Sequence, residues 1–418
     1  MNILLDAYFD LNYGDDLFIE TITGMFPTYK FYSFLEYYPP RVIEWAKKIP
    51  NLFLLPECDV FLEKNMFDAY ICVGGDVFPD NGDFTKRKKY VKSVKEINGT
   101  VAFWGFSLFH SYSEQTQADL VEMLQGADII APRDERSAAF LNELLPEKEI
   151  VPVADLAFLS QWSGKRPESP SGVLGMSVRR PIYATDADML SYTANLQNAI
   201  NVYLSGGSER TVTLFSLSSG GTADSEVAQQ ILDGVAEKDR VTHTVYEGDT
   251  DAIKAGIANC DLMICTRLHA MISCIAMGVP FLPIIYEVKM EHVLADIGYG
   301  REKLYFSDTA ALPAVLAAAL QTIGEGCGWE SSAVQALVAR TAAVKERLQG
   351  LLVDKNGQTV IEKKAAGGPE CREKQAWIAA FNQRTAEVDA LNAQLQEVRT
   401  NPLHRIAGKA TKIYRGLK

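Results

Sequence analysis

The sequence has no run of about 18 consecutive apolar residues, which excludes a transmembrane helix. Its start, Met1-Asn2-Ile3-Leu4-Leu5-Asp6, has no basic n-region, and Asp6 interrupts the apolar run, so no secretory signal is expected. Positive charge is also short. Lys and Arg number 41 against 53 Asp and Glu, for a net charge of -12. Nucleic-acid binders carry a basic footprint, so nucleic acid is not expected as a partner. Cysteine is sparse and unpatterned. The seven (Cys58, Cys72, Cys260, Cys265, Cys274, Cys327, Cys371) form an odd set with no C-x-x-C pair. Three of them, Cys72, Cys265 and Cys274, lie inside apolar runs, where a free thiol behaves as a small hydrophobe. Inert cysteines in a reducing cytosol are expected, not a disulfide or metal framework. No G-x-G-x-x-G follows the first strand-like segment, so no dinucleotide cofactor is indicated.

What is present reads as a two-domain α/β protein. A length of 418 residues suggests two to three domains. A hydrophobic share of 47% with 22% charged residues is an ordinary globular composition, with apolar material for two cores. Short apolar runs at Ile3 to Leu5, Ala69 to Val73, Val101 to Trp104 and Asp128 to Ala131 alternate with helical patterns such as 114–125 and 134–145. A second series follows at Val173 to Val178, Thr211 to Leu217, Val241 to Tyr246, Leu262 to Cys265 and Phe281 to Tyr286. Helical patterns at 225–237, 250–259 and 268–277 separate these runs, and 309–352 is Ala/Leu-rich and helical. The alternation predicts parallel sheets covered on both faces. The expected fold is two tandem Rossmann-like domains, residues 1–165 and 172–352, joined by a Ser/Pro-rich linker that starts at Ser163. Ligands would sit beyond the carboxyl ends of the strands, in the cleft between the domains.

Residues 353–372 read as a polar linker. Trp377, Phe381, Arg384, Val388, Leu391, Leu395 and Val398 fall at alternating spacings of 4 and 3, a heptad seam in a short helix over 373–400. The seam points to a homo-oligomer; the plainer alternative is a helix packed on its own domain. Residues 401–418 hold five basic residues and no acid, with Leu403, Ile406, Ala407, Ala410 and Ile413 at helical spacing. This pattern suits a basic amphipathic anchor lying on an anionic membrane face, and a solvated tail is the alternative. The expected location is the cytoplasm, with this tail at the inner face of the membrane.

The stretch richest in chemistry is Cys265-Thr266-Arg267-Leu268-His269, where a buried strand runs into an apolar helix closed by Gly278. Arg267 and His269 therefore fall at a strand end and the first turn of a helix. Free N–H groups and the helix dipole favour a phosphate or carboxylate there. An arginine can fork onto such an anion, and a histidine can exchange protons. Alternatively, His269 is a satisfied core residue. Tyr286, Glu287 and Lys289 lie just past another strand end, where they contact an anionic or hydroxylated ligand or merely open a solvated helix.

These segments resemble the polysaccharide pyruvyl transferase family. The resemblance rests on Arg267-Leu268-His269, Gly278-Val279-Pro280-Phe281 and Tyr286-Glu287-Val288-Lys289. Earlier pieces agree: Asn12-Tyr13-Gly14-Asp15-Asp16, Val73-Gly74-Gly75-Asp76-Val77-Phe78, Pro132-Arg133-Asp134-Glu135-Arg136-Ser137, Val153-Ala154-Asp155-Leu156-Ala157-Phe158 and Ser177-Val178-Arg179. Two departures stand out: Asp76 replaces the third glycine of the family's Gly-Gly-Gly-x-x-Phe loop, and Leu156 replaces a proline.

The resemblance covers roughly residues 1–350 and implies a GT-B-like pair of domains. It implies transfer of pyruvate from phosphoenolpyruvate onto two hydroxyls of a sugar in a surface glycan or its lipid-linked precursor, with no cofactor and no metal. By the same resemblance, Arg267 and Leu268 hold the donor, Arg179 and Lys289 clamp it, and His269 is the acid or base. Asn12, Asp15, Gly74, Gly75, Asp76 and Glu287 face the acceptor. Asp76 would bind sugar hydroxyls or repel an anion, and Arg133 with Asp134 reads as an intradomain salt bridge. Two other readings compete: a glycosyltransferase using a nucleotide sugar, and a catalytically silent scaffold.

Overall fold

In the computed structural model, the described residues are 1–352 apart from 36–37, 57–61, 63–65, 110, 163–166, 168–169, 220–223 and 323–325. The expected linker, coil and tail of residues 353–418 lie outside them, as does most of the stretch that starts at Ser163.

The first sheet is made of β1 (Asn2–Asp6), β2 (Lys30–Leu35), β3 (Leu52–Pro56), β4 (Ala69–Val73), β5 (Thr100–Phe106) and β6 (Ile129–Pro132). All pairings are parallel, in the order β3-β2-β1-β4-β5-β6. Every residue of β4, β5 and β6 is buried, which is why these strands read as continuous apolar runs. The second sheet is made of β7 (Val173–Ser177), β8 (Thr211–Ser216), β9 (Val241–Val245), β10 (Leu262–Cys265), β11 (Phe281–Ile285) and β12 (Leu304–Tyr305). Its parallel order, β9-β8-β7-β10-β11-β12, repeats that of the first sheet. In each sheet the chain changes direction of growth between two central strands, β1 and β4 or β7 and β10. A crevice opens at the carboxyl ends of such a pair.

The halves are joined by helix Tyr13–Met25, which follows β1 but packs on the second domain. Tyr13 N donates to Leu217 O at 2.9 Å, and the Tyr13 and Ser273 hydroxyls lie 2.9 Å apart. Tyr246 Oη donates to Asp16 Oδ2 at 2.6 Å, and neither residue is open to solvent. One apolar core consequently joins this helix to the second sheet, while the other face of the first sheet has a core of its own.

After helix Leu312–Gln321 the chain returns to the first domain. Helix Ser331–Leu351 lies against the first domain: Ala154 N donates to Thr341 Oγ1 at 2.9 Å, and Arg340 pairs with Glu135 at 2.8 Å. The helical stretch 309–352 is thus broken, with helix Leu312–Gln321 staying on the second domain.

Candidate active site

Strand ends from both sheets deliver the side chains of one cleft of about 160 Å³. After β1, Asn12 caps helix Tyr13–Met25 by accepting from Gly14 N at 3.1 Å, which places Asp15 in the first turn. Gly14 packs directly on His269 of the other domain. A Cβ at this position would lie 1.8 Å from His269 Nδ1, so only glycine lets the two domains close here. After β4, Gly74 adopts φ +142, a conformation L side chains rarely take. At Gly75 a Cβ would come within 2.7 Å of the Arg133 guanidinium. After β7 comes Arg179. After β10, Arg267 occupies the N-cap of helix Leu268–Met277, which ends on left-handed Gly278. After β11, Glu287 is the N-cap of helix Val288–Asp296, with Lys289 in its first turn.

Arg133, Arg179, Arg267, Lys289 and His269 all line this cleft, beside Asn12, Asp15, Gly75 and Asp76. The two domains thus bring together most of the residues singled out in the sequence. Gly74 and Glu287 stand just behind the wall, Glu287 against Lys289 at 2.5 Å.

The charges are arranged in three sets. Arg133 donates through Nη1 to Asp155 Oδ2 at 2.8 Å and through Nε to Ser107 Oγ at 2.7 Å. Its salt bridge is therefore intradomain, but its partner is not Asp134. That carboxylate instead caps helix Glu135–Leu144, accepting from Ser137 N at 2.8 Å. Asp155 also lies 3.7 Å from His269 Nε2, an ion-pair distance too long for a hydrogen bond. Burial favours the neutral form of Asp155, yet His269 and then Arg133 hold its carboxyl down at about 2.

The second set centres on Asp76, which joins Lys289 Nζ at 2.8 Å and Arg133 Nη2 at 3.4 Å. Burial opposes its ionisation, but Lys289 and Arg133 keep its carboxyl below the usual range. The residue that replaces the third glycine is thus a counterion bridging a cation from each domain.

In the third set, Arg267 grips Asp224 with two bonds, Nε to Oδ2 at 3.0 Å and Nη2 to Oδ1 at 2.5 Å, where Asp224 is wholly buried. Its backbone N–H and that of Thr266 both donate to Ser177 Oγ, at 3.2 and 3.1 Å. Arg179 lies over the Tyr286 ring at 4.9 Å and donates to the Tyr286 hydroxyl. Its Nε, like His269 Nε2, is buried with no hydrogen-bond partner among the described residues. Both residues line the cleft, and unpartnered buried polar atoms are groups that a bound ligand could satisfy.

Asp15 behaves oppositely to Asp76 and Asp155. Burial first, then Asp10 and Asp76, push its carboxyl up to about 8, so it is neutral at pH 7. An unfolded aspartate titrates at about 3.9. The folded form therefore loses relative stability as the pH rises from about 4 to about 8, and the loss then levels off. Asp15→Asn should gain stability over the wild type across that window. Thermal melts at stepped pH measure this; a constant difference between the two proteins would refute the shift.

Asp155 and Asp224 were not assigned roles from sequence. Asp155 carries a local signal, since it caps the short turn Leu156–Leu159 by accepting from Ala157 N at 3.0 Å. Asp224 carries none that distinguishes it from the acids around it.

The family model for polysaccharide pyruvyl transferase matches residues 12–288. The chain belongs to that family. The match begins on the cap residue Asn12 and takes in Arg133, Arg179, Arg267 and His269, while Lys289 lies one residue beyond it. No curated protein sequence matches this pyruvyl transferase family member. Among solved structures, the UDP-GlcNAc 2-epimerase of Methanocaldococcus jannaschii aligns with a TM-score of 0.56 at 11% identity, over 84% of this chain and 99% of that one. The Neisseria meningitidis UDP-GlcNAc 2-epimerase bound to UDP-GlcNAc gives 0.55 at 11%, over 84% and 100%. Anabaena HepE in complex with UDP-glucose gives 0.54 at 12%, over 84% and 98%. These likenesses establish the GT-B fold of the two sheets.

Proposed function

We propose that this member of the polysaccharide pyruvyl transferase family moves the pyruvyl unit of phosphoenolpyruvate onto two hydroxyls of one sugar. The sugar belongs to a surface glycan or its lipid-linked precursor. The observation that supports this best is the cleft itself, a space of about 160 Å³ faced by three arginines, a lysine and a histidine. Ligand sites generally run about 300–1,000 Å³, so a cleft this small favours a compact donor over a nucleotide sugar. Phosphoenolpyruvate is compact and carries both a carboxylate and a phosphate.

In this reading the donor displaces Asp76 and takes Arg133 and Lys289 as its own counterions. The unpartnered Nε of Arg179 meets its other end. Neutral Asp15 adds no repulsion and supplies a hydrogen-bond donor. His269 delivers a proton to the methylene carbon, which leaves an oxocarbenium-like centre at the neighbouring carbon. A first sugar hydroxyl bonds to that carbon and returns its proton to His269. The second hydroxyl then displaces phosphate, its proton leaving with the phosphate, and the ketal closes. Fixed cations around the phosphate stabilise the negative charge it gains as it leaves.

The expected result is thermal stabilisation by phosphoenolpyruvate and not by UDP- or GDP-sugars. Mass spectrometry of lipid-linked sugars incubated with the donor should then find a pyruvate ketal and released phosphate. Stabilisation by the nucleotide sugars alone would overturn the assignment in favour of glycosyl transfer.

A further inference from the structure

A larger groove lies on the far side of Tyr286 from the cationic cleft, with a volume of about 890 Å³. Tyr286 lines both spaces. Their chemistry is opposite. The groove is faced by three carboxylates, Asp188, Glu287 and Glu291, and by no lysine, arginine or histidine. It also presents two aromatic rings to solvent: Tyr183 is 63% exposed and Tyr305 41%.

Exposed aromatics of this size beside a groove call for an occupant. These rings are held in place. Tyr183 Oη donates to Tyr286 O at 3.1 Å, and Tyr305 Oη donates to Glu291 Oε1 at 2.5 Å. Phe306 backs Tyr183 edge-on, with centroids 6.3 Å apart. Each ring thus offers a fixed apolar face beside hydrogen-bond acceptors. That combination fits a ligand with C–H faces and a hydroxyl rim, and the carboxylates disfavour an anion.

We infer that the groove is an extended subsite for uncharged or amino-sugar units of the acceptor glycan, next to the unit that receives pyruvate. This rests on the functional reading above and deepens it. The donor's negative charge is drawn to one side of the Tyr286 turn, and the sugar chain is laid along the other. The groove's size suits more than one sugar unit.

The test uses the full-length protein and Tyr183→Ala/Tyr305→Ala on a glycan array of neutral, amino and acidic oligosaccharides, without donor. The wild type should be retained on neutral or amino oligosaccharides, and the double variant should lose at least about tenfold in binding, as when an aromatic anchor is removed. Both rings are solvent-exposed, so an unchanged melting temperature serves as the folding control. Equal retention of the two proteins, no retention, or retention confined to acidic glycans would overturn the proposal. A parallel phosphoenolpyruvate melt separates this from the catalytic reading. Stabilisation of both proteins with no array difference sinks the groove alone; an array difference with no stabilisation of either sinks the pyruvyl reading and leaves the groove standing.

Discussion

His269→Ala is expected to lower pyruvyl transfer by about 10²–10⁴-fold, the range for loss of a positioned acid or base. Binding of phosphoenolpyruvate, read as thermal stabilisation, should largely survive, because the cations are separate residues. The ring is tightly placed. Phe18 meets it edge-on with centroids 5.2 Å apart, Gly14 closes one side, and Asp155 stands 3.7 Å from Nε2. Near-wild-type phosphate release by the variant would remove His269 from the mechanism. Gly14 offers an independent check on the same ring. Gly14→Ala puts a methyl group where the imidazole now sits, so turnover should fall although no reacting group has been removed.

Arg267→Ala should destabilise the protein by about 3–5 kcal/mol, because it leaves the buried Asp224 without its cation, with Leu217 N donating to it at 3.1 Å. The sequence by itself suggests an arginine poised for a ligand, whose removal would spare the fold. The paired geometry alters that expectation. The side chains of Arg267 and Asp224 retain only 7% and 0% of their exposure. Urea unfolding of the single variant measures the loss. Replacing both partners, as Arg267→Met with Asp224→Leu, should restore most of the stability, since a buried ion pair is often no better than an apolar pair of similar size. Activity should stay low in the double variant if Arg267 also serves the donor. An Arg267→Ala protein as stable as the wild type would show that the pair carries no stabilisation.

What could be read in advance followed from strand ends. Buried strands β4 and β10 are apolar to their last residues and β7 is apolar up to its terminal Ser177, so the polar residues just beyond them announce a site. That is why Arg179, Arg267, His269 and the Gly74-Gly75 loop were legible. Three strands escaped notice. β2 is Lys-Phe-Tyr-Ser-Phe-Leu, mixed enough to mask its period; β3 is Leu-Phe-Leu-Leu-Pro, whose closing proline argues against a strand; and β12 has two residues. The partners of the cations were hidden for another reason. Asp155 lies 114 residues before His269, and Asp224 lies 43 before Arg267. No local pattern joins such pairs: the order β8-β7-β10 of the second sheet brings Asp224 to Arg267, and the packing of helix Tyr13–Met25 on the second domain brings Asp155 to His269. Asp76 was visible as a departure from the glycine loop, but its role as a shared counterion depends on Lys289 arriving from the other domain.

The placement of His269 in one domain and Asp155 in the other has a consequence for timing. If the domains part to admit substrate, the imidazole leaves its carboxylate and the wedge beside Gly14 opens. On the proposed reading, the proton-transfer unit would then be in two halves. A reactive enol phosphate held in the open form would meet no assembled acid, so water could not be pyruvylated in place of a sugar. On that reading, closure would complete the catalyst, and Gly14 sets how closely the two domains can meet at His269.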